Sequence, residues 1–128
     1  MLLDTCFLID LQRERRRGKA GGAHDFAESR RGERSFLSVI AWGEFAEGFA
    51  EIEENGLMAF RNSFEILPID EPTAWQYSRI VRVLRSRGQL IGSNDLWIAA
   101  TALAHGMPLV TRNAAEFGKI PGLGVIVY

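Results

Sequence analysis

The chain has 128 residues, of which 47% are hydrophobic and 24% are charged, and its formal net charge is −1. A chain of this length and composition is expected to form one folded domain over residues 1–128 and not a disordered segment. Asp4 and Asp10 interrupt the only apolar run at the N-terminus, so we expect neither a secretory leader nor a membrane span. A single cysteine, Cys6, cannot form an internal disulfide. These features predict a soluble cytoplasmic domain with no membrane partner.

The first half of the chain is predicted to alternate between strands and helices, with a strand at 1–3, helices at 6–16 and 23–31, a strand at 35–38, a helix at 39–54 and a short helix at 57–64. The helix at 39–54 is predicted from apolar side chains that recur at helical spacing: Trp42, Phe45, Phe49 and Ile52. Asn55 and Gly56 are expected to end that helix.

The second half continues the alternation, with a strand at 65–68, a helix from Pro72 to Arg87, an apolar helix from Leu96 to Ala104, a strand at 109–110, a helical turn at 114–117 and a strand at 125–127. Ser93 is expected to cap the apolar helix. Short strands that are apolar on both faces are typical of a parallel sheet covered on both sides. The sequence therefore predicts an α/β fold, a three-layer α/β/α domain with a central parallel sheet of about five strands flanked by helices.

Charge is distributed unevenly along the chain. Residues 13–34 hold eight Arg and Lys against four acids, whereas residues 44–71 hold eight acids against Arg61 alone. The segment from Arg79 to Arg87 is basic again. Such segments are either solvated surface or sites that contact the phosphates of a nucleic acid, and composition leaves both open.

Acidic and amide side chains occur where the predicted strands end or the next helix begins. Asp4 ends the first strand, Glu44 lies in the second turn of the helix after the second strand, and Asp95 lies in the first turn of the apolar helix. Asn113 and Glu116 follow the fourth strand. Ligands of an open parallel sheet bind beyond the carboxyl ends of its strands. Gathered carboxylates repel one another unless a cation lies between them, and an all-oxygen set favours Mg²⁺ or Mn²⁺.

Each of these residues also has a purely structural explanation. Asp4 could cap the first helix, and Asp95 could be a first-turn acid that interacts with the helix dipole. Asn113 could be only a helix cap, and Glu116 only a solvated surface acid. Glu44 is not singled out by helical periodicity, because it lies on the polar side of its helix. The pattern alone leaves both explanations open.

Three segments together resemble the PIN-domain family and, within it, the toxin ribonucleases of the VapC type. The opening LLDTCFLIDL is similar to the family's first strand, Asp-Thr pair and apolar helix, and SVIAWGEF is similar to its second motif. SNDLWIAATALAHGMPLVTRNAAEF followed by KIPGLGV resembles the C-terminal half of the family. The likeness covers most of the chain, except residues 13–34 and the middle helices.

The resemblance implies a single PIN-like domain that acts as a metal-dependent endoribonuclease, the toxin of a toxin–antitoxin pair. RNA is then the substrate and Mg²⁺ or Mn²⁺ the cofactor, with one or two ions activating water for phosphodiester hydrolysis. The products would carry 5′-phosphate and 3′-hydroxyl ends. A cognate antitoxin protein and a second copy of the chain, in a homodimer, are the implied partners.

The resemblance also implies roles for individual residues. Asp4, Glu44 and Asp95 correspond to catalytic, metal-binding acids, with Glu116 as a fourth acid and Asn113 assisting as a metal ligand. The nearby polar supports would be Thr5, Ser38 and Thr111. Basic side chains that could hold the RNA backbone, chosen for their charge and their place in the sequence, are Arg112, Arg15, Arg16 and Arg17.

Two alternatives to the nuclease remain open, and one departure from the family pattern bears on the first of them. Relatives commonly carry Asp where this chain has Glu116, and the extra methylene moves the carboxylate. This favours, as one alternative, a catalytically inactive PIN-like binding module. The second alternative is a phosphatase like the haloacid-dehalogenase family with Asp4 as nucleophile. Those enzymes need an Asp two residues later, where Cys6 stands, and a late lysine, whereas Lys119 lies past the expected strand end.

Overall fold

A computed structural model describes residues 1–48 and 54–128. The elements in chain order are β1 (Leu2–Leu3), α1 (Thr5–Arg17), α2 (Gly22–Ser29), β2 (Phe36–Ser38), α3 (Val39–Glu47), α4 (Glu54–Arg61), β3 (Glu65–Leu67), α5 (Glu71–Ser86), α6 (Ser93–Ala104), β4 (Leu109–Val110), α7 (Ala114–Phe117) and β5 (Val125–Ile126). Among the described residues, no helix is long and apolar enough to span a membrane.

The five strands form one sheet in the order β3-β2-β1-β4-β5, and every neighbouring pair is parallel. Alternate strand residues face opposite sides, as the pleat requires. Leu2 and Leu109 pack into one hydrophobic cluster, and Leu3 and Val110 pack into another. Both clusters are buried, so the sheet has a core on each face, and the predicted three-layer arrangement is confirmed.

The helices divide between the two cores. The core on one face receives its side chains mainly from α5, α6 and α7, with Ile98 and Phe117 fully buried. The core on the other face receives its side chains mainly from α1, α2 and α4, with Phe7 and Leu8 almost fully buried. Because each helix crosses back over the sheet, the segments that follow β1, β2 and β4 all begin at the carboxyl edge of the sheet.

The predicted helix at 39–54 is confirmed over Val39–Glu47, and its residues 49–53 lie outside the described part of the chain. α3 ends at Glu47, and Gly48, a poor helix former, donates its N–H to the Phe45 carbonyl 3.3 Å away and tightens the last turn. Asn55 and Gly56 do not end a helix but lie in the first turn of α4. First-turn N–H groups have no partner within the helix, so weak helix formers are tolerated there. Two residues of the expected stripe, Phe49 and Ile52, lie outside the described residues.

The predicted cap of the apolar helix is also wrong. Gly92 occupies the N-cap position of α6, no side chain caps it, and Ser93 is the first helical residue. By contrast, Pro72 lies in the first turn of α5 as expected, and Asp70 caps that helix by accepting from the Thr73 N–H at 3.0 Å. The remaining predicted bounds differ from the structure by a few residues at most, as is usual at frayed helix ends.

Truncation of Ile98 tests the core that α6 forms with the sheet. Ile98→Ala removes a fully buried side chain, and we expect the free energy of unfolding to fall by about 2–5 kcal/mol, because the cavity is lined by rigid neighbours. Urea denaturation followed by circular dichroism measures the loss. Leu90→Ala is the matched control, since Leu90 is 48% exposed and its truncation should change stability by less than about 1 kcal/mol. Equal losses in both variants would contradict the described packing.

Candidate active site

The predicted acids converge on one cleft at the carboxyl edge of the sheet. Asp4 follows β1, Glu44 projects from α3, and Asp95 lies in the first turn of α6. The cleft has a volume of about 590 Å³, and the other lining residues are Thr5, Cys6, Ile9, Arg112 and Asn113. Segments distant in sequence therefore place three carboxylates around a single cavity, as the strand-end argument predicted.

Asp4 is held by three donors and is only 5% exposed. One carboxylate oxygen accepts from the Thr5 N–H at 2.7 Å, which makes Asp4 the N-cap of α1. The other oxygen accepts from the Thr111 hydroxyl at 2.7 Å and from the Cys6 thiol at 2.9 Å. Asp4 is thus both the helix cap and a wall of the cleft, so the two explanations of this residue are compatible.

Thr111 connects the fourth strand to the first. Besides donating to Asp4, its hydroxyl oxygen accepts from the Asn113 N–H at 3.0 Å. Asn113 occupies the N-cap position of α7, but its side chain makes no capping hydrogen bond. Its amide is therefore available at the cleft, and capping does not explain the residue.

Glu44 is oriented by two side chains from different elements. The Thr5 hydroxyl donates to one carboxylate oxygen at 2.5 Å, and the Asn94 amide donates to the other at 2.7 Å. Ser38 stabilises the helix that carries Glu44, because it caps α3 by accepting from the Ala41 N–H at 3.0 Å. Sequence reasoning missed Asn94, although its position beside Asp95 in SND was a usable signal.

Asp95 differs from the other two acids because no donor compensates its charge within the described part of the chain. Burial raises the pKa of its carboxyl to about 6, and the nearby Asp4, Glu44 and Glu116 raise it further in that order of importance. Burial also raises the pKa of the Cys6 thiol, so that side chain stays protonated. The cleft therefore concentrates negative charge that the protein itself does not neutralise.

Glu116 is not part of the cleft wall. Its carboxylate accepts from the Lys119 ammonium at 2.8 Å, and its side chain is 38% exposed. The ion pair turns the acid away from the cavity, although it lies close enough to raise the pKa of Asp95. The expectation of a fourth acid in the site is therefore met only in part, because one helical turn offers Glu116 a lysine partner at i+3.

The donor set fits a hydrated divalent ion better than a metal enclosed by protein. Among the residues described, no three His, Cys, Asp or Glu side chains form a preformed ligand group. Mg²⁺ keeps several waters and usually binds through one or two carboxylates. The uncompensated carboxylate of Asp95 and the oriented carboxylate of Asp4 supply such a pair, with Glu44 and Asn113 in reach of the same cavity.

Only one of the four basic candidates lies at the cleft. Arg112 lines it and forms an ion pair with Asp10 at 2.5 Å, and Asp10 also accepts from the Tyr128 hydroxyl at 2.9 Å. Arg15, Arg16 and Arg17 form the last turn of α1, roughly 15 Å along the helix from Thr5. The structure does not bring these three to the acids, because the cleft is at the opposite end of that helix.

A larger cleft, of about 850 Å³, lies elsewhere on the molecule. Arg15 lines it, and its guanidinium lies 5.4 Å from the centre of the Phe60 ring. The glutamates that line it, Glu28, Glu33 and Glu65, are each paired with an arginine and are therefore compensated. Size therefore does not identify the reactive site, and the convergent carboxylates do.

Comparison with known proteins agrees with the fold. Residues 1–123 match the PIN domain family. Ribonuclease VapC1 of Methanocaldococcus jannaschii is 36% identical over 100% of this chain and 86% of its own length. Ribonuclease VapC1 of Rickettsia felis is 29% identical over 98% of this chain and 94% of its own length. The crystal structure of VapBC2 from Rickettsia felis, bound to a DNA fragment from its promoter, has a TM-score of 0.86 at 26% identity and covers 99% of this chain and 97% of the other.

This chain belongs to the PIN-domain family. Its similarity to the VapC ribonucleases extends over the whole length of the chain and includes the three segments that supply the acids. Within the family it is therefore of the VapC toxin type.

Neutralising Asp95 should stabilise the metal-free protein. Its pKa rises from 3.8 to about 6 on folding, so the folded chain binds more protons than the unfolded chain between about pH 4 and 6, and stability falls as pH rises through that window. Because the group is partly exposed, we expect Asp95→Asn to raise the melting temperature at neutral pH by only roughly 2–5 °C. Calorimetry in EDTA measures this. Asp25→Asn, at a side chain that is 77% exposed, is the control and should leave the melting temperature unchanged. A lower melting temperature for Asp95→Asn would contradict the repulsion among the carboxylates of the cleft.

Proposed function

We propose that this protein is a metal-dependent endoribonuclease that hydrolyses RNA phosphodiester bonds and is the toxin of a toxin–antitoxin pair. The observation that carries the proposal is the cleft in which Asp4, Glu44 and Asp95 converge, while none of the described residues donates a hydrogen bond to Asp95. Such a site attracts a divalent cation strongly and repels an anionic substrate until the cation is bound. The ribonuclease names of its relatives supply the reaction class.

We propose Mg²⁺ or Mn²⁺ as the cofactor, held by Asp4 and Asp95, with Glu44 and Asn113 as further ligands, directly or through water. When bound, the ion supplies Lewis-acid activation of water and of the scissile phosphate. Thr5, Cys6 and Thr111 fix the orientation of Asp4, and Thr5 together with Asn94 fixes Glu44. Arg112 lines the cleft, and we propose that its guanidinium holds a phosphate oxygen.

The solved structures of similar chains support an antitoxin partner. Solved structures of similar chains are toxin–antitoxin complexes, such as the DNA-bound VapBC of Salmonella typhimurium and the toxin–antitoxin complex of Klebsiella pneumoniae. We propose that this chain likewise binds a cognate antitoxin and that it forms a homodimer. An antitoxin that covers the acidic cleft would block both the cation and the RNA.

The inactive binding module is the alternative with an observation of its own. The ion pair between Glu116 and Lys119 keeps the fourth acid out of the cleft. A site reduced to three acids still has the two carboxylates that a hydrated Mg²⁺ requires, so we favour the enzyme. The family assignment favours the nuclease over the phosphatase.

RNA cleavage by the purified chain, freed of bound partners by unfolding and refolding, tests the proposal. We expect cutting of RNA in Mg²⁺ or Mn²⁺, none in EDTA, and a loss of at least about 100-fold in Asp4→Asn and Asp95→Asn, because each change removes a charge that holds the ion. Asp25→Asn is the matched control on an exposed helix and should cut normally. Folded, metal-loaded protein that cuts no class of cellular RNA would favour the binding module.

The Asp10–Arg112–Tyr128 network allows a separate test of substrate positioning. Arg112→Gln removes the cation of the cleft wall, and we expect KM for an RNA oligonucleotide to rise by roughly 10-fold while kcat changes little. Tyr128→Phe removes only the second donor to Asp10, so its effect should be smaller and in the same direction. A fall in kcat with constant KM in either variant would place Arg112 in the chemical step instead.

A further inference from the structure

Four arginines on and just after α5 have no acidic partner among the residues that the structure describes. Between residues 72 and 94 the sequence contains Arg79, Arg82, Arg85 and Arg87 and no Asp or Glu. All four side chains are exposed, and within the described part of the chain none of them forms an ion pair. Arginines elsewhere on the surface are paired with glutamates at 2.5–3.2 Å: Arg30, Arg31 and Arg34. In a chain of net charge −1, this is a concentration of uncompensated positive charge.

The exposed side of α5 combines these charges with an aromatic ring. At about 100° per residue, Trp75, Arg79 and Arg82 lie within an arc of roughly 60°, opposite the buried Ile80 and Leu84. Trp75 is 62% exposed, an unusual state for the largest apolar side chain. Beside this arc lies a shallow cleft of about 280 Å³ that Trp75, Arg79 and Arg82 line together with Leu103 and Pro121. We refer to Trp75, Arg79, Arg82 and Arg85 as the α5 stripe.

α5 packs against α6, the helix that carries Asp95, through the side opposite the α5 stripe. The Tyr77 ring of α5 stacks on the Trp97 ring of α6, with the centroids 3.9 Å apart and the planes 14° from parallel. Trp97 is only two residues from Asp95, so this stack joins α5 directly to the beginning of α6. Six residues, 87–92, connect the two helices and limit the separation of their ends. Arg85, near the C-terminal end of α5, is the member of the stripe nearest in sequence to this connection.

The acidic cleft cannot supply much of the affinity for RNA by itself. Its carboxylates repel phosphates, and among the described residues that line it Arg112 alone is cationic, with its charge shared between Asp10 and any phosphate it holds. Arg15, Arg16 and Arg17 lie at the far end of α1. A second copy of this chain is a poor occupant for the α5 stripe, because a two-fold contact through it would place arginine against arginine. An anionic strand with bases that stack matches both the charges and the exposed indole.

We propose that the α5 stripe binds the RNA substrate outside the acidic cleft, with Arg79, Arg82 and Arg85 on backbone phosphates and Trp75 stacked on a base. The inference rests on the proposed ribonuclease function and adds the surface that holds the strand. Guanidinium groups without an intramolecular partner form such contacts without first breaking an ion pair. The contacts are independent of base identity, so they set affinity and not sequence preference.

Binding of a fluorescein-labelled single-stranded RNA of mixed sequence, roughly 16 nucleotides long, tests the α5 stripe by fluorescence anisotropy in EDTA. Each phosphate contact contributes about 0.7 to the slope of log K against log salt. We expect the double variant R79Q/R82Q to lower the slope by about 1.4 and to weaken binding roughly 25-fold at about 0.1 M salt. The control R30Q/R31Q removes the same net charge from paired arginines and should lower affinity by less than about threefold. Equal effects of both double variants would overturn the proposal.

Trp75 gives an orthogonal readout on the same RNA. Trp75→Ala should weaken binding by at least about fivefold with the salt slope unchanged, because stacking releases no counterions, and Trp75→Phe should restore most of the affinity. If these variants instead change the dimer dissociation constant in analytical ultracentrifugation and leave RNA affinity intact, the stripe is a protein interface and the proposal fails.

Cleavage of the same RNA in Mg²⁺, measured in parallel, distinguishes a failure of the α5 stripe as an RNA-binding surface from a failure of the proposed ribonuclease function. If the wild-type chain cuts it and R79Q/R82Q binds it as tightly as the wild type, the α5 stripe alone is overturned. If wild-type binding depends on the stripe but no RNA is cut by the metal-loaded chain, the proposed ribonuclease function fails and an RNA-binding surface remains.

Discussion

The repulsion among carboxylates at the carboxyl edge of the sheet is the constraint on which the rest of the site depends. Asp4 and Glu44 tolerate it because Thr5, Cys6, Thr111 and Asn94 donate to them. Asp95 has no such donor among residues 1–48 and 54–128, and the pKa of its carboxyl rises to about 6. The fold thus keeps the Asp95 carboxylate uncompensated in a partly buried cleft where separate segments meet. This repulsion lowers the stability of the metal-free protein and is typical of a site that binds a cation.

The sheet explains why these particular residues meet. Parallel strands end at one edge, so the residues that follow β1, β2 and β4 are neighbours although they are distant in sequence. Two buried clusters hold the sheet from both faces and leave the strand ends as the place where polar side chains can be concentrated. Thr111 adds a direct link, since its hydroxyl contacts both Asp4 and the Asn113 backbone.

Much of this was predictable from the sequence, because short apolar strands, helix periodicity and strand-end acids are local signals. Asp4, Glu44, Asp95 and Asn113 were predicted on those grounds and line the cleft. The position of the Glu116 side chain was not predicted, because its ion pair with Lys119 depends on a rotamer that a sequence pattern does not specify. The end of α3 near Gly48 was missed because a glycine in a helical pattern signals an end only weakly. Asn94 and Asp10 were missed because their partners, Glu44 and Arg112, are distant in sequence.

Titration of the purified, partner-free chain with Mn²⁺ in a calorimeter is the most direct test of the central claim that these acids form a cation site. The account predicts saturable binding of one or two ions in the wild-type chain, with proton release near pH 6 as Asp95 ionises, and loss of that binding in Asp4→Asn and Asp95→Asn. Mn²⁺ binding of the same affinity in both variants, with their folds intact, would contradict the account.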